Sequence, residues 1–375
     1  VFLYGGAKAS LVTSLLLLVG LGVAVFVGFN VGGSNTGVAF GPAVGSGAVS
    51  KLAAGALMTG FAFLGGWTVG RRVVTTLGSN LVLGDPFTLP VSIGVLFFIG
   101  GALFVSNVLG VPASTSMTAV GAIAGLGLAR NALATDVVLE IVSWWIVAPL
   151  IAFWVSGVVG RYGYDAIEER LAVDTSDGSL LELDRSGIPT PQLADETTPR
   201  EATGVFLVVA IACFMAFSAG ASNVANAVAP LVGSGQLSMN AGIILAGGAI
   251  GLGAFTIARR TLDTMGEGLT ELPLTAALVV ALVSATLVTA LSAIGIPASF
   301  VVIATMSTVG LGWGRATRAE GALVVDADDV VEEVTDQDVA IDDLYRPWTT
   351  LRVVVLQNAV PAVATAGAYV LFSVW

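Results

Sequence analysis

With 375 residues, 55% of them apolar and only 11% charged, the chain carries more uninterrupted apolar sequence than a soluble core can use, which makes it an integral membrane protein. The lone Cys213 excludes an internal disulfide, and the absence of histidine removes a Ser-His hydrolase, a His-ligated metal and a histidine proton relay together. The net charge of −11 sits mostly in two polar stretches; with Lys8 and Lys51 as the only lysines it fits a high-salt habitat, or simply two solvated acidic loops.

Residues 9–29 form a first apolar span, read as retained rather than cleaved because the run is long. Gly32 to Gly47 then reads GGSNTGVAFGPAVGSG, a segment too rich in Gly, Ser and Asn to make a good lipid-facing helix. A second span covers 49–69 and ends at Arg71-Arg72; a third covers 88–110. Pro112-Ala113-Ser114-Thr115-Ser116-Met117 opens a shorter apolar segment ending at Arg130, and 136–157 makes a fifth span with Trp144, Trp145 and Pro149. Residues 161–203 turn acidic and polar, and are expected to be an unstructured cytoplasmic linker.

The second half repeats the first. Span 204–219 leads to Gly220 through Gly235, GASNVANAVAPLVGSG, followed by 238–258 ending at Arg259-Arg260, then 272–294, Pro297-Ala298-Ser299 and Arg315. An acidic loop, 316–346, precedes a last span, 348–373, whose Pro361 answers Pro149. Ser34, Asn35, Pro42, Gly47 and Arg71-Arg72 recur at one constant offset, as Ser222, Asn223, Pro230, Gly235 and Arg259-Arg260. Pro112, Ser114 and Arg130 recur at a second, slightly shorter offset, as Pro297, Ser299 and Arg315. So many landmarks in one order mark an internal duplication.

Five spans and one interrupted motif per half force the copies into opposite orientations. The expected architecture is therefore an all-α polytopic membrane protein, an inverted-repeat secondary transporter of about ten spans with two re-entrant or broken-helix motifs. Its segments are a first transmembrane repeat (1–160), the acidic linker (161–203) and a second repeat (204–375). The bias of arginines places both termini outside a multi-pass cell-membrane protein.

Few carboxylates fall within the spans and motifs. Glu140 is the clearest, and Asp263, Glu267 and Glu271 lie in the polar turn after Arg260. The polar residues that recur with Gly and Pro in both halves are neutral. Ser114, Thr115 and Ser116 after Pro112, with Ser299, Ser34 and Ser222, are candidate substrate-binding residues, because hydroxyls and N–H groups at a helix start suit an oxyanion. The amide oxygens of Asn35, Asn223 and Asn226 are candidates for a hard cation such as sodium. Lys51, with Ser46 and Ser50 nearby, reads as a helix start beside a snorkelling lysine rather than a Ser-Lys nucleophile, so no catalytic residue and no enzyme is expected.

These motifs resemble those of the inorganic phosphate transporters, the sodium- or proton-coupled phosphate permeases. Their duplicated G-A-N-D-V-A-N-A motif is matched well by GASNVANAVAPLVGSG and, in its tail, by GGSNTGVAFGPAVGSG; PASTSM at 112–117 is similar to their P-V-S-T-T-H element. The resemblance implies that Ser114, Thr115 and Ser116 contact phosphate. The family's coupling aspartates align with Asn35 and Asn223, and its histidine with Met117, so both carboxylates are gone. The expected function is sodium-coupled phosphate transport by alternating access, without a cofactor or a resident metal. Sulfate or another oxyanion is the nearest rival substrate, and a passive anion channel the rival mechanism. The expected partners are the oxyanion and the bilayer, with no nucleic acid; a homodimer is left open.

Overall fold

The computed structural model describes residues 2–108, 114–171, 181–184, 190–193, 199–258, 262, 273–323 and 347–375. Pro112, Arg259, Arg260, Asp263, Glu267, Glu271 and the acidic loop beyond 323 lie outside them.

Each apolar run becomes a helix. The first half holds α1 (Phe2–Gly45), α2 (Lys51–Thr68), α3 (Gly70–Thr75, continued by a π-helical turn Thr76–Asn80), α4 (Leu89–Val108), α5 (Thr115–Ala129), α6 (Thr135–Val158) and α7 (Tyr164–Leu171). The second holds α8 (Pro199–Gly233), α9 (Met239–Phe255), α10 (Leu274–Ala293), α11 (Phe300–Leu323) and α12 (Pro347–Ser373). The linker, expected to be unstructured, carries an antiparallel pair, β1 (Leu181–Asp184) and β2 (Thr190–Leu193). Among the described residues, five helices are long and apolar enough to cross a membrane, six if α2 and α3, bent by 64°, count as one.

The two motifs are not where the helices break. α1 runs unbroken through the first motif to Gly45, and α8 through the second to Gly233, against the expectation of re-entrant segments. Some of their polar groups find partners within the helix itself. Ser34 donates to the Val31 carbonyl (3.2 Å), Thr36 to Gly32 (2.7 Å) and Asn223 to Ala219 (2.9 Å). Their glycines serve contact rather than bending. A Cβ on Gly32 would overlap the Ile250 carbonyl, and one on Gly220 the Ala62 carbonyl.

The chain turns only after Pro42 and Pro230, and in the same way each time. Val49 N–H reaches the Ala43 carbonyl (3.0 Å) and Leu237 N–H the Leu231 carbonyl (3.2 Å). Gly47 and Gly235 sit at φ of 74° and 70°, which a side chain would resist. Ser50 then caps α2 by accepting from Ala53 N–H (3.2 Å), as Ser238 caps α9 from Ala241 N–H (3.3 Å).

The halves embrace each other reciprocally. Gly32 lies against Ile250 and Gly220 against Ala62; Gly65 lies against Phe217 and Gly253 against Phe29. The shift that carries the first motif onto the second exchanges the members of each set, so α1 packs on α9 as α8 packs on α2. Likewise Gly125 meets the Thr365 carbonyl and Gly310 the Phe153 carbonyl, pairing α5 with α12 and α11 with α6. The hydrophobic core buries Phe40, Met58, Ile99, Leu126, Leu231 and Ile243 completely, while Leu18, Phe97, Leu139, Ile146 and Trp154 remain exposed. Exposed apolar side chains on apolar helices face acyl chains without penalty.

Candidate functional site

The real breaks precede α5 and α11. Ser114 caps α5 by accepting from Met117 N–H at 3.2 Å, and Ser299 accepts from Val302 N–H at 3.4 Å at the head of α11. Both serines are buried, so both helix starts point their first N–H groups into the protein. At the second break, Trp145 of α6 donates its indole N–H to the Pro297 carbonyl (2.8 Å), and Arg72 donates to the Ala293 carbonyl at the end of α10. A guanidinium there complements the negative end of that helix.

α8 crosses beside these starts and ties them together. Ser116 Oγ lies 3.1 Å from Ser222 Oγ, and Ser222 Oγ donates to the Ala298 carbonyl at 3.0 Å. One serine thus links the beginning of α5 to the break before α11. Next to it, Asn223 Oδ1 accepts from Thr115 Oγ1 and, at 3.0 Å, from Asn226 Nδ2. Ser114, Thr115, Ser116, Ser222, Asn223, Asn226 and Ser299 are all buried.

Two kinds of capacity remain unspent in this closed arrangement. Ser114 and Ser299 use only lone pairs in capping, and their O–H groups join the first-turn amides as donors for an anion. Asn226 Oδ1 is a buried acceptor with no partner. Pro230 has no N–H, so the helical bond to the Asn226 carbonyl is missing as well. The free amide oxygen of Asn226 is a hard ligand of the kind an alkali cation takes. Every residue of the cluster is neutral, and no group of three or more potential metal ligands from His, Cys, Asp and Glu occurs among the described residues.

The cluster draws on the second motif and the first PASTSM element. Ser34 and Asn35 are half-buried; among the described residues Asn35 Nδ2 has no partner, and Ser34 bonds within its own helix. Val38 stands where the second copy has Asn226, so the first copy cannot build the same acceptor. Glu140 is exposed on α6 and takes no part. Trp144 and Trp145 line a narrow apolar crevice with Met117, Pro149, Val302 and Ile303 beside Ser299. Ser92 of α4 donates to the Pro230 carbonyl at 2.8 Å and braces the end of the motif; nothing in the sequence marks that isolated serine.

A helical membrane bundle with a neutral, donor-rich cluster between two helix starts, and no nucleophile-base pair among the described residues of that cluster, has the make-up of a solute transporter. The model of the phosphate transporter family matches residues 31–341, and the chain belongs to that family. Its relatives are transporters rather than enzymes. Among them, the sulfate permease CysP of Bacillus subtilis is 31% identical over 297 residues, covering 78% of this chain and 76% of that protein. A putative phosphate permease of Chlamydia trachomatis is 26% identical over 392 residues, covering 81% and 91%. The fold also matches a solved structure described as the sodium-dependent phosphate transporter, with a TM-score of 0.69 at 18% identity, over 95% of this chain and 99% of that one.

Proposed function

We propose that the chain is a secondary active transporter of a tetrahedral oxyanion, phosphate first, working by alternating access with sodium as coupling ion and no other cofactor. The observation that carries this reading is the Ser116–Ser222–Ala298 linkage, which brings the two inward-facing helix starts to one buried point. The hydroxyls of Ser114, Thr115, Ser116, Ser222 and Ser299 and the first-turn amides hold the anion; Asn223 and Asn226 hold the cation beside it, each charge reducing the desolvation cost of the other. Ser34 and Asn35 approach only in another conformation of the cycle. One chain carries the whole cluster, so a homodimer is not needed to complete it. About ten crossings in two inverted halves, with both termini outside, is the topology this reading uses.

The cluster's polar groups bond to one another across α5 and α8, which favours a gated carrier over a standing pore. Substrate entry breaks those bonds and makes others in their place. Sulfate is the second reading, favoured by the neutrality of every residue in the described cluster. It carries no proton at neutral pH and asks only for donors, whereas hydrogen phosphate also needs an acceptor. Purified protein in liposomes will accumulate labelled phosphate against its gradient when sodium is imposed outside, and potassium will not replace it. Saturable sulfate uptake untouched by excess phosphate overturns the substrate; failure to accumulate either anion against a gradient overturns the carrier.

A further inference from the structure

The hydroxyls of Ser218 and Ser292 are fully buried, and neither has a hydrogen-bond partner among the described residues. Some buried helical hydroxyls turn back onto the carbonyl four residues earlier, as Thr36 does to Gly32 at 2.7 Å and Thr118 to Ser114 at 2.8 Å, and others reach a neighbouring helix, as Ser92 does to the Pro230 carbonyl and Ser156 to Ser307. Ser218 and Ser292 do neither, a state shared by Ser284 and Thr289 of α10. Orphaned buried hydroxyls call for a partner, and bound water is the usual one.

The duplication shows where that partner sits. Ser218 is the counterpart of Asn30, by the same offset that carries Ser34 onto Ser222 and so relates α8 to α1. Ser292 is the counterpart of Asn107, by the offset that carries Pro112 onto Pro297 and relates α10 to α4. In the first half these positions are joined directly. Asn107 Nδ2 donates to Asn30 Oδ1 at 3.0 Å and to the Asn30 carbonyl at 3.1 Å, while Asn30 Nδ2 donates to the Phe26 carbonyl at 2.8 Å. The second half places two short side chains where the first has two long ones. The amide that closes the distance is missing, and both ends it would have met are left open.

We propose that Ser218 and Ser292 hold one water molecule in the α8–α10 seam, in the place that the Asn107 amide fills between α1 and α4. Two hydroxyls, each able to donate and accept, give a water the minimum of partners it needs, with neighbouring helix carbonyls for its remaining bonds. The site stands one turn along α8 from Ser222, and so adjoins the polar cluster without belonging to it. Its consequence is an asymmetry between the halves: the α1–α4 seam is locked by side chains, whereas the α8–α10 seam is bridged by a ligand that exchanges.

The test is the melting temperature of the detergent-solubilised full chain in S218A, S292A, the double variant S218A/S292A and S218N/S292N. Either alanine alone breaks the bridge, so both single variants melt below wild type and the double variant loses no more than the worse single. The asparagine pair rebuilds the first half's direct bond and melts above the double-alanine protein. Additive losses from the two alanines, or an asparagine pair that melts below the double-alanine protein, overturn the site. None of these readouts depends on what the protein transports.

Discussion

N223D will make transport depend on pH and on sodium together. Asn223 Oδ1 is an acceptor for Thr115 and Asn226, and an aspartate oxygen fills that part unchanged. The other side differs. Asn223 Nδ2 donates to the Ala219 carbonyl at 2.9 Å, and the second carboxylate oxygen would place two acceptors face to face there. The variant must put either a proton or a cation between them. In acid the proton serves, the wild-type bonding pattern returns and uptake is insensitive to the added carboxyl. As pH rises the proton leaves, and sodium must take its place. Leaving a buried group so mismatched costs about 1–3 kcal/mol, so at limiting sodium the variant's uptake, relative to wild type, should fall by about fivefold or more between acid and neutral pH. Initial uptake rates across sodium concentrations at two pH values measure this. A variant whose sodium dependence equals wild type at both pH values removes Asn223 from the cation site.

Gly32→Ala and Gly220→Ala will each destabilise the protein, and to the same degree. The added methyl at either position meets the backbone carbonyl of a helix from the other half, which has no rotamer to change. Helices α1 and α9, or α8 and α2, must then separate along their length. Overpacking of this kind costs about 3 kcal/mol, a large part of a protein's net stability. Gly22→Ala and Gly248→Ala are the controls, for nothing lies within 4 Å of a Cβ at either. There the gain in helix propensity, about 0.5–1 kcal/mol, should leave melting unchanged or raised. Yield and melting temperature in detergent separate the two pairs. Equal tolerance at all four positions contradicts the reciprocal packing of the halves.

The helices themselves were legible because apolar runs of bilayer length have one stable form in lipid. Their starts follow from the same sequence: Ser50, Ser114, Ser238 and Ser299 are caps that stand just before an apolar run. The motifs depart from the expected re-entrant segments for a physical reason. Gly, Ser and Asn weaken a helix in water, but in a packed bundle the side chains bond back to their own turn and the glycines admit a neighbouring backbone. Position within the motif held the clue, since Pro42 and Pro230 stand near its end and the helix stops just after them. Ser114, Thr115 and Ser116 could be picked out from their place after a proline. Their partnership with Ser222 and Asn223 could not, because it depends on α5 of one half lying across α8 of the other. The first motif's smaller part was foreshadowed by Val38, the residue that replaces the second copy's Asn226.

All of this turns on an anion lying between the heads of α5 and α11. The most direct measurement is a structure of the full chain in lipid with phosphate and sodium present, and a second with sulfate. Density for an oxyanion within hydrogen-bond reach of Ser114, Ser116, Ser222 and Ser299, with the Thr115–Asn223 bond opened to admit it, is the predicted result. An oxyanion bound elsewhere, with that cluster still closed on itself, contradicts the account.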